Sequence, residues 1–153
     1  MSRWLSLVIA VVLVSGCASS NKVNVAATGD SAPLSKRLAE ADRVYEEARL
    51  PKAETLYLGI VRDHPKSTNA WLRLGNIYMR QGRVKGAIRC FEEVLKLDPK
   101  DGRAWYNLSL ARVRQAIDTL EQGEKVVPID SAHHIYLVEL HSRLNSKMSG
   151  EQQ

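Results

Sequence analysis

The sequence predicts an all-α fold, a short solenoid of about three helix–turn–helix hairpins placed behind an export segment and a flexible tether. Two observations carry this expectation. The chain resembles itself at an offset of 34 residues, and inside each repeat apolar residues recur at three- and four-residue spacing between Gly and Pro punctuation. The composition, 25% charged and 44% hydrophobic, is that of an ordinary globular protein with one modest core.

The first segment reads as an address. Arg3 supplies a small positive region, Leu5 to Val14 form an almost unbroken apolar run, and Ser15 and Gly16 are small. That order is the one of a secretory signal, and its apolar run is too short for a permanent bilayer-spanning helix. The tetrad Val14-Ser15-Gly16-Cys17 resembles the lipobox of bacterial lipoproteins. The resemblance implies removal of residues 1–16 as a signal peptide, a diacylglycerol on the Cys17 thiol, and an N-acyl chain such as palmitate on its amine. Several chains anchor stably where one holds only marginally. Ala18, rather than Asp, follows the cysteine, which resembles the pattern sent to the outer membrane in Gram-negative lipoproteins.

With Cys17 lipidated, Cys90 is the one remaining thiol, so no intramolecular disulfide is expected. Its place beside Phe91 on a helix suits a small buried hydrophobe. Residues 17–33 are small and polar after the cysteine and read as a tether. The folded array is expected over 34–148, as units 34–67, 68–101 and an irregular 102–148, with 149–153 as a disordered tail.

Eight pairs fix the register: Ala53/Ala87, Tyr57/Phe91, Ile60/Val94, Val61/Leu95, Pro65/Pro99, Trp71/Trp105, Leu74/Leu108 and Gly75/Ser109. Trp71, Leu74 and Tyr78 share one helical face, Gly75 and Ala87 are small where two helices approach, and Gln81-Gly82-Arg83 supplies the turn. Asp98-Pro99 closes the second helix. In order, Trp71, Leu74, Gly75, Tyr78, Ala87, Phe91 and Pro99 resemble the tetratricopeptide-repeat signature W-x2-L-G-x2-Y…A-x3-F…P.

The flanking units depart from it. In unit one Arg37 and Glu40 stand where Trp and Leu belong, and an Arg there is expected to solvate a terminal cap. In unit three Trp105 and Leu108 fit, but Glu121 and Lys125 take the Ala and aromatic places. No Gly or Pro interrupts Ala104–Gln122, which reads as one extended helix followed by a last helix from Ser131 to about Lys147; an alternative register puts a short second helix over 116–127. Ala132 and Tyr136 carry the A-x3-aromatic pattern displaced eleven residues late (132 minus 121).

Such arrays use the concave face lined by their first helices. The candidate groove is Asp42, Tyr45 and Glu46 from unit one, Leu72, Asn76, Met79 and Arg80 from unit two, and Tyr106, Leu110, Val113 and Arg114 from unit three. The mixture suits a peptide or helix of a partner protein. Asn76 and Asn107 match the two Asn with which some members grip a terminal carboxylate, but Leu72 replaces the Lys, so that clamp is not expected. Neither an enzyme nor a metal site is expected. His133, His134 and His141 lack a completing ligand set, and no nucleophile–base constellation or phosphate loop is present. The net charge of +5 is interspersed with acidic residues, which argues against nucleic acid.

Short lipoproteins of this build resemble the pilotins of secretin channels and Tad-type pilus assembly lipoproteins. The resulting expectation is a lipid-anchored adaptor on the periplasmic face of the outer membrane, binding envelope proteins through its concave face. The alternative is a subunit of a barrel-assembly or peptidoglycan-associated complex. Replacing Cys17 with Ser should release the protein from membranes and abolish lipid labelling; a variant that still sediments with membranes would refute the anchor.

Overall fold

The computed structural model describes residues 32–150, so residues 1–16, Cys17 with most of its tether, and 151–153 lie outside the described residues. Six α-helices follow one another: α1 (Leu34–Glu46), α2 (Leu50–Asp63), α3 (Thr68–Arg80), α4 (Val84–Leu97), α5 (Gly102–Val126) and α6 (Ala132–Gly150). Among the described residues there is no strand, and no helix is long and apolar enough to cross a membrane. Consecutive helices pack as hairpins, and α3 also touches α5, so the fold is an all-α array of tetratricopeptide-like hairpins.

The 34-residue offset recurs as identical local chemistry. Ser67 and Asp101 are the N-caps of α3 and α5; Ser67 Oγ accepts from the Ala70 amide, and Asp101 Oδ1 accepts from the Arg103 and Ala104 amides. The Trp71 and Trp105 indoles donate to the carbonyls of Pro65 and Pro99, both at 2.9 Å. Each such bond ties the start of a first helix to the turn before it.

The turns inside the hairpins match as well. Arg49 N donates to Val44 O, Arg83 N donates to Tyr78 O, and the residues before them, Ala48 and Gly82, take φ of 57° and 71°. This is the left-handed helix terminus that glycine fits without strain; for Ala48 it costs roughly 1 kcal/mol. Nothing in the sequence marks that conformation at Ala48.

The core runs through all three units, with Tyr57, Phe91, Ile60, Leu74 and Ile77 among its fully buried side chains. Its tightest contact is at Gly75, where an added Cβ would overlap the Phe91 ring at Cε1. Cys90 is buried beside it, and burial pushes its thiol up to about 12.

Two expectations are corrected. Arg37 is not a solvated cap residue: its side chain is 10% exposed, lies over Gly59, and pairs with Asp63 at 2.9 Å, joining the start of α1 to the end of α2. The last helix passes through Ser149, whose hydroxyl donates to Asn145 O, and reaches Gly150, so the expected tail begins as helix. In unit three α5 is one unbroken helix, as the extended-helix reading expects, and the alternative register with a second helix over 116–127 is not formed. Glu121 and Lys125 cannot enter a core as Ala and Phe do, and without a Gly or Pro stop the helix continues.

Gly75→Ala should cost about 1–3 kcal/mol, because the methyl must displace a buried aromatic ring. Urea denaturation checks this: the midpoint falls and the slope stays the same.

Candidate functional site

The first helices α3 and α5 line a cleft of about 540 Å³, and α1 adjoins α3 on its other side through Arg73. Asn69, Leu72, Arg73 and Asn76 come from α3; Arg103, Tyr106 and Asn107 come from α5. The helical period explains the set. Residues 69, 72, 73 and 76 form one stripe on α3, and 103, 106 and 107 form the facing stripe on α5.

Polar contacts shape the walls. Asn107 Nδ2 donates to Asn76 Oδ1 at 3.0 Å across the cleft floor. Each side chain retains the other half of its amide, a carbonyl on Asn107 and an amino group on Asn76, the complement of a peptide unit. Arg73 reaches back to α1, with Nε 3.0 Å from Asp42 Oδ1 and Nη1 3.5 Å from Glu46 Oε1. Arg103 pairs with its helix cap Asp101 at 2.8 Å. Both guanidiniums are therefore held in place by carboxylates behind them.

The expected groove residues divide into three groups. Leu72, Asn76 and Tyr106 meet in this cleft, with Leu72, 5% exposed, at its floor. Position 72 lies between the core stripe and the groove stripe, and its apolar side chain goes to the core. Asp42, Tyr45, Glu46 and Arg80 gather at the α1 end, where Arg73 and Arg80 stack on the Tyr45 ring at 4.9 and 5.3 Å. Met79 is half-buried against the core nearby.

Leu110 and Val113 belong to neither group. They border a smaller cleft with Leu144, Lys147 and Met148 of α6, so the last helix takes part of the face that the sequence assigns to a partner. Arg114 pairs with Asp118 along α5 at 3.5 Å. Sequence reasoning missed Asn69, Arg73 and Arg103. The available signal was spacing alone, since Arg73 and Asn69 share the stripe of Asn76.

Elsewhere, His141 is mostly buried between α5 and α6, with Nδ1 2.8 Å from Glu124 Oε1 and Nε2 3.8 Å from Glu121 Oε1. It clips α5 to α6. Among the described residues no group of His, Cys, Asp or Glu is arranged to hold a metal ion.

Beneath the groove, the Tyr57 hydroxyl donates to Asp42 Oδ1 at 2.6 Å, so one carboxylate serves both the core and Arg73. Burial, with the neighbouring carboxylate, pushes the Tyr57 phenol far above its usual 10.

The fold agrees with comparisons to known proteins. Residues 68–101 match the tetratricopeptide repeat family model, so the chain carries one repeat of that family in its middle hairpin. Superkiller protein 3 of Schizosaccharomyces pombe is 37% identical over 89 residues, 57% of this chain and 6% of that protein. The peroxisomal targeting signal receptor of Saccharomyces cerevisiae is 32% identical over 71 residues, 46% of this chain and 12% of the receptor. That of Komagataella phaffii is 27% identical over 89 residues, covering 58% and 15% respectively. The chain thus spans a small part of the curated relatives it matches.

Tyr57 stays protonated in the fold where an unfolded tyrosine ionises, so its contribution to stability is full below pH 10 and falls as pH rises beyond it. Tyr57→Phe should flatten that alkaline limb, read as the urea midpoint against pH. An equally steep limb in the variant would refute the coupling.

Proposed function

We propose that this chain is a lipid-anchored adaptor of the bacterial cell envelope whose first-helix groove holds a segment of a partner protein. The cleft between α3 and α5 carries the reading. Asn76 and Asn107 present a peptide-like donor and acceptor, Arg73 and Arg103 stand on either side, and Tyr106 is exposed at the rim. This set fits an extended peptide: the amides take its backbone, and the arginines take an acidic side chain or terminal carboxylate. Membership of the middle hairpin in a repeat family that binds proteins supports an interaction role over catalysis. The relatives from Saccharomyces cerevisiae and Komagataella phaffii are by name receptors for a peroxisomal targeting signal, which points the same way.

The envelope address rests on the lipobox at Val14–Cys17. The lead reading places the adaptor at the outer membrane, in assembly of a secretion or pilus complex; service to a barrel-assembly or peptidoglycan-associated complex is the second. No cofactor is required beyond the diacylglycerol and N-acyl chains on Cys17.

A photoreactive residue at Tyr106, installed in the full chain in cells, should cross-link one envelope protein. Asn76→Ala with Asn107→Ala should weaken that capture about tenfold, the loss of about 1.4 kcal/mol. Capture of no envelope protein, or capture indifferent to both amides, would refute the groove.

A further inference from the structure

The stripe of α5 that walls the cleft does not end at Asn107. Arg103, Tyr106, Leu110 and Val113 follow one another at intervals of three and four, so the last two continue the wall that the first two begin. Neither Leu110 nor Val113 is core. The buried residues of α5 are Ala104, Leu108, Ala111, Ile117 and Leu120, whereas Leu110 and Val113 are half-buried. The last two turns of α6 reach this stripe. Leu144 and Met148 stand across from Leu110 and Val113 around a pocket of about 270 Å³, with Lys147 the one charged residue in its lining. Both α6 residues are half-buried as well. Four apolar side chains thus converge without closing on one another, and the apolar surface left in water favours an apolar group that enters.

This pocket shares Tyr106 with the α3–α5 cleft, so the two openings flank one exposed ring. The other opening beside α6, lined by Arg112, Ala116 and Leu140, shares no residue with the cleft. Cleft and pocket straddle α5. Packed helices stand roughly 10 Å apart, and an extended chain covers that distance in about three residues. A segment whose acidic group meets Arg73 and Arg103, with its backbone on the Asn76–Asn107 amides, can cross Tyr106 and set a side chain over the pocket. An opening of this size takes one Leu, Met or Phe side chain and is too small for a helix.

We propose that this pocket is a subsite for one large apolar side chain, about three residues from the acidic group of the segment held in the α3–α5 cleft. The subsite rests on the peptide-binding reading of that cleft and adds a sequence preference to it. It arises from the irregular third unit, because the long α5 lets the end of α6 return to the groove stripe. The last helix then completes the partner site as well as covering the end of the array.

Short peptides test this against the full chain held in lipid nanodiscs. The probes are fluorescein-labelled peptides of Gly and Ser that end in Asp with a free carboxylate, alone or with one Phe at each position in turn. Affinity is read by fluorescence polarisation. Phe about three residues before the Asp should bind at least about tenfold more tightly than the Phe-free peptide. Leu110→Gln on α5 and Met148→Gln on α6 should each remove that gain with helicity retained. Indifference to Phe at that place, or a gain that survives both substitutions, would overturn the subsite. In either case the groove stands if Asn76→Ala with Asn107→Ala still weakens binding. Binding of no peptide would overturn groove and subsite together.

Discussion

The Phe91 ring lies directly on the backbone of Gly75, and the rest of the array depends on that contact. It lets α3 and α4 approach more closely than any side chain between them would allow. Two consequences follow. The Phe91 ring is fully withdrawn from water, a burial worth about 1.5–3 kcal/mol. The stripe of α3 carrying Asn69, Arg73 and Asn76 is also turned to the side opposite α4, because a helix has one orientation about its axis. The groove is thus a product of the seam behind it. Asp42 links the two layers, accepting from the buried Tyr57 hydroxyl while holding Arg73 at the groove wall.

Much of this was legible because the repeat states each role twice. The pairs Tyr57/Phe91 and Trp71/Trp105 announce a common helix register, and the structure gives them common surroundings where a neighbouring hairpin exists to provide them. Trp71 and Trp105 even make the same bond to a proline carbonyl six residues back. What the repeat could not announce was a role filled by a different residue. Ala48 takes the left-handed turn that Gly82 takes, because the hairpin closes on backbone bonds that accept either residue at some cost. Arg37 occupies the Trp place and still lies inward, since its guanidinium sets one nitrogen over Gly59 and the other on Asp63. Charge alone suggested solvent, and reach decided otherwise.

The groove was legible by stripe and not by partner. Periodicity placed Asn76 and Tyr106 on the concave face. The ion pairs that fix Arg73, however, join residues about 30 positions apart, and only the packing of α1 against α3 reveals them. Leu72 shows the same limit from the other side. A helical wheel places it at the boundary between core and groove, and the free energy of burying a leucine sends it to the core. Val113 and Leu110 were read as open for want of knowing where α6 would lie, since their own spacing fits a groove wall equally well.

The length of the groove bears on how it can work. Three first helices at roughly 10 Å spacing make a trough about 20 Å long, enough for about six extended residues. A contact of that size, with its arginines already paired to acidic neighbours, gains little from raw electrostatics. The Arg73 charge is balanced by Asp42 and Glu46, so an incoming carboxylate must share the guanidinium with them. The same balance favours selectivity, because the arginine donors are fixed before a ligand arrives and only a segment matching their spacing gains both them and the Asn76–Asn107 amides. Modest affinity at one groove is sufficient where the proposed lipid anchor raises the local concentration, because an added attachment converts a later encounter into an intramolecular one. The short array and the proposed lipid anchor are on this argument complementary: one reads a short segment, and the other confines the search to a single membrane face.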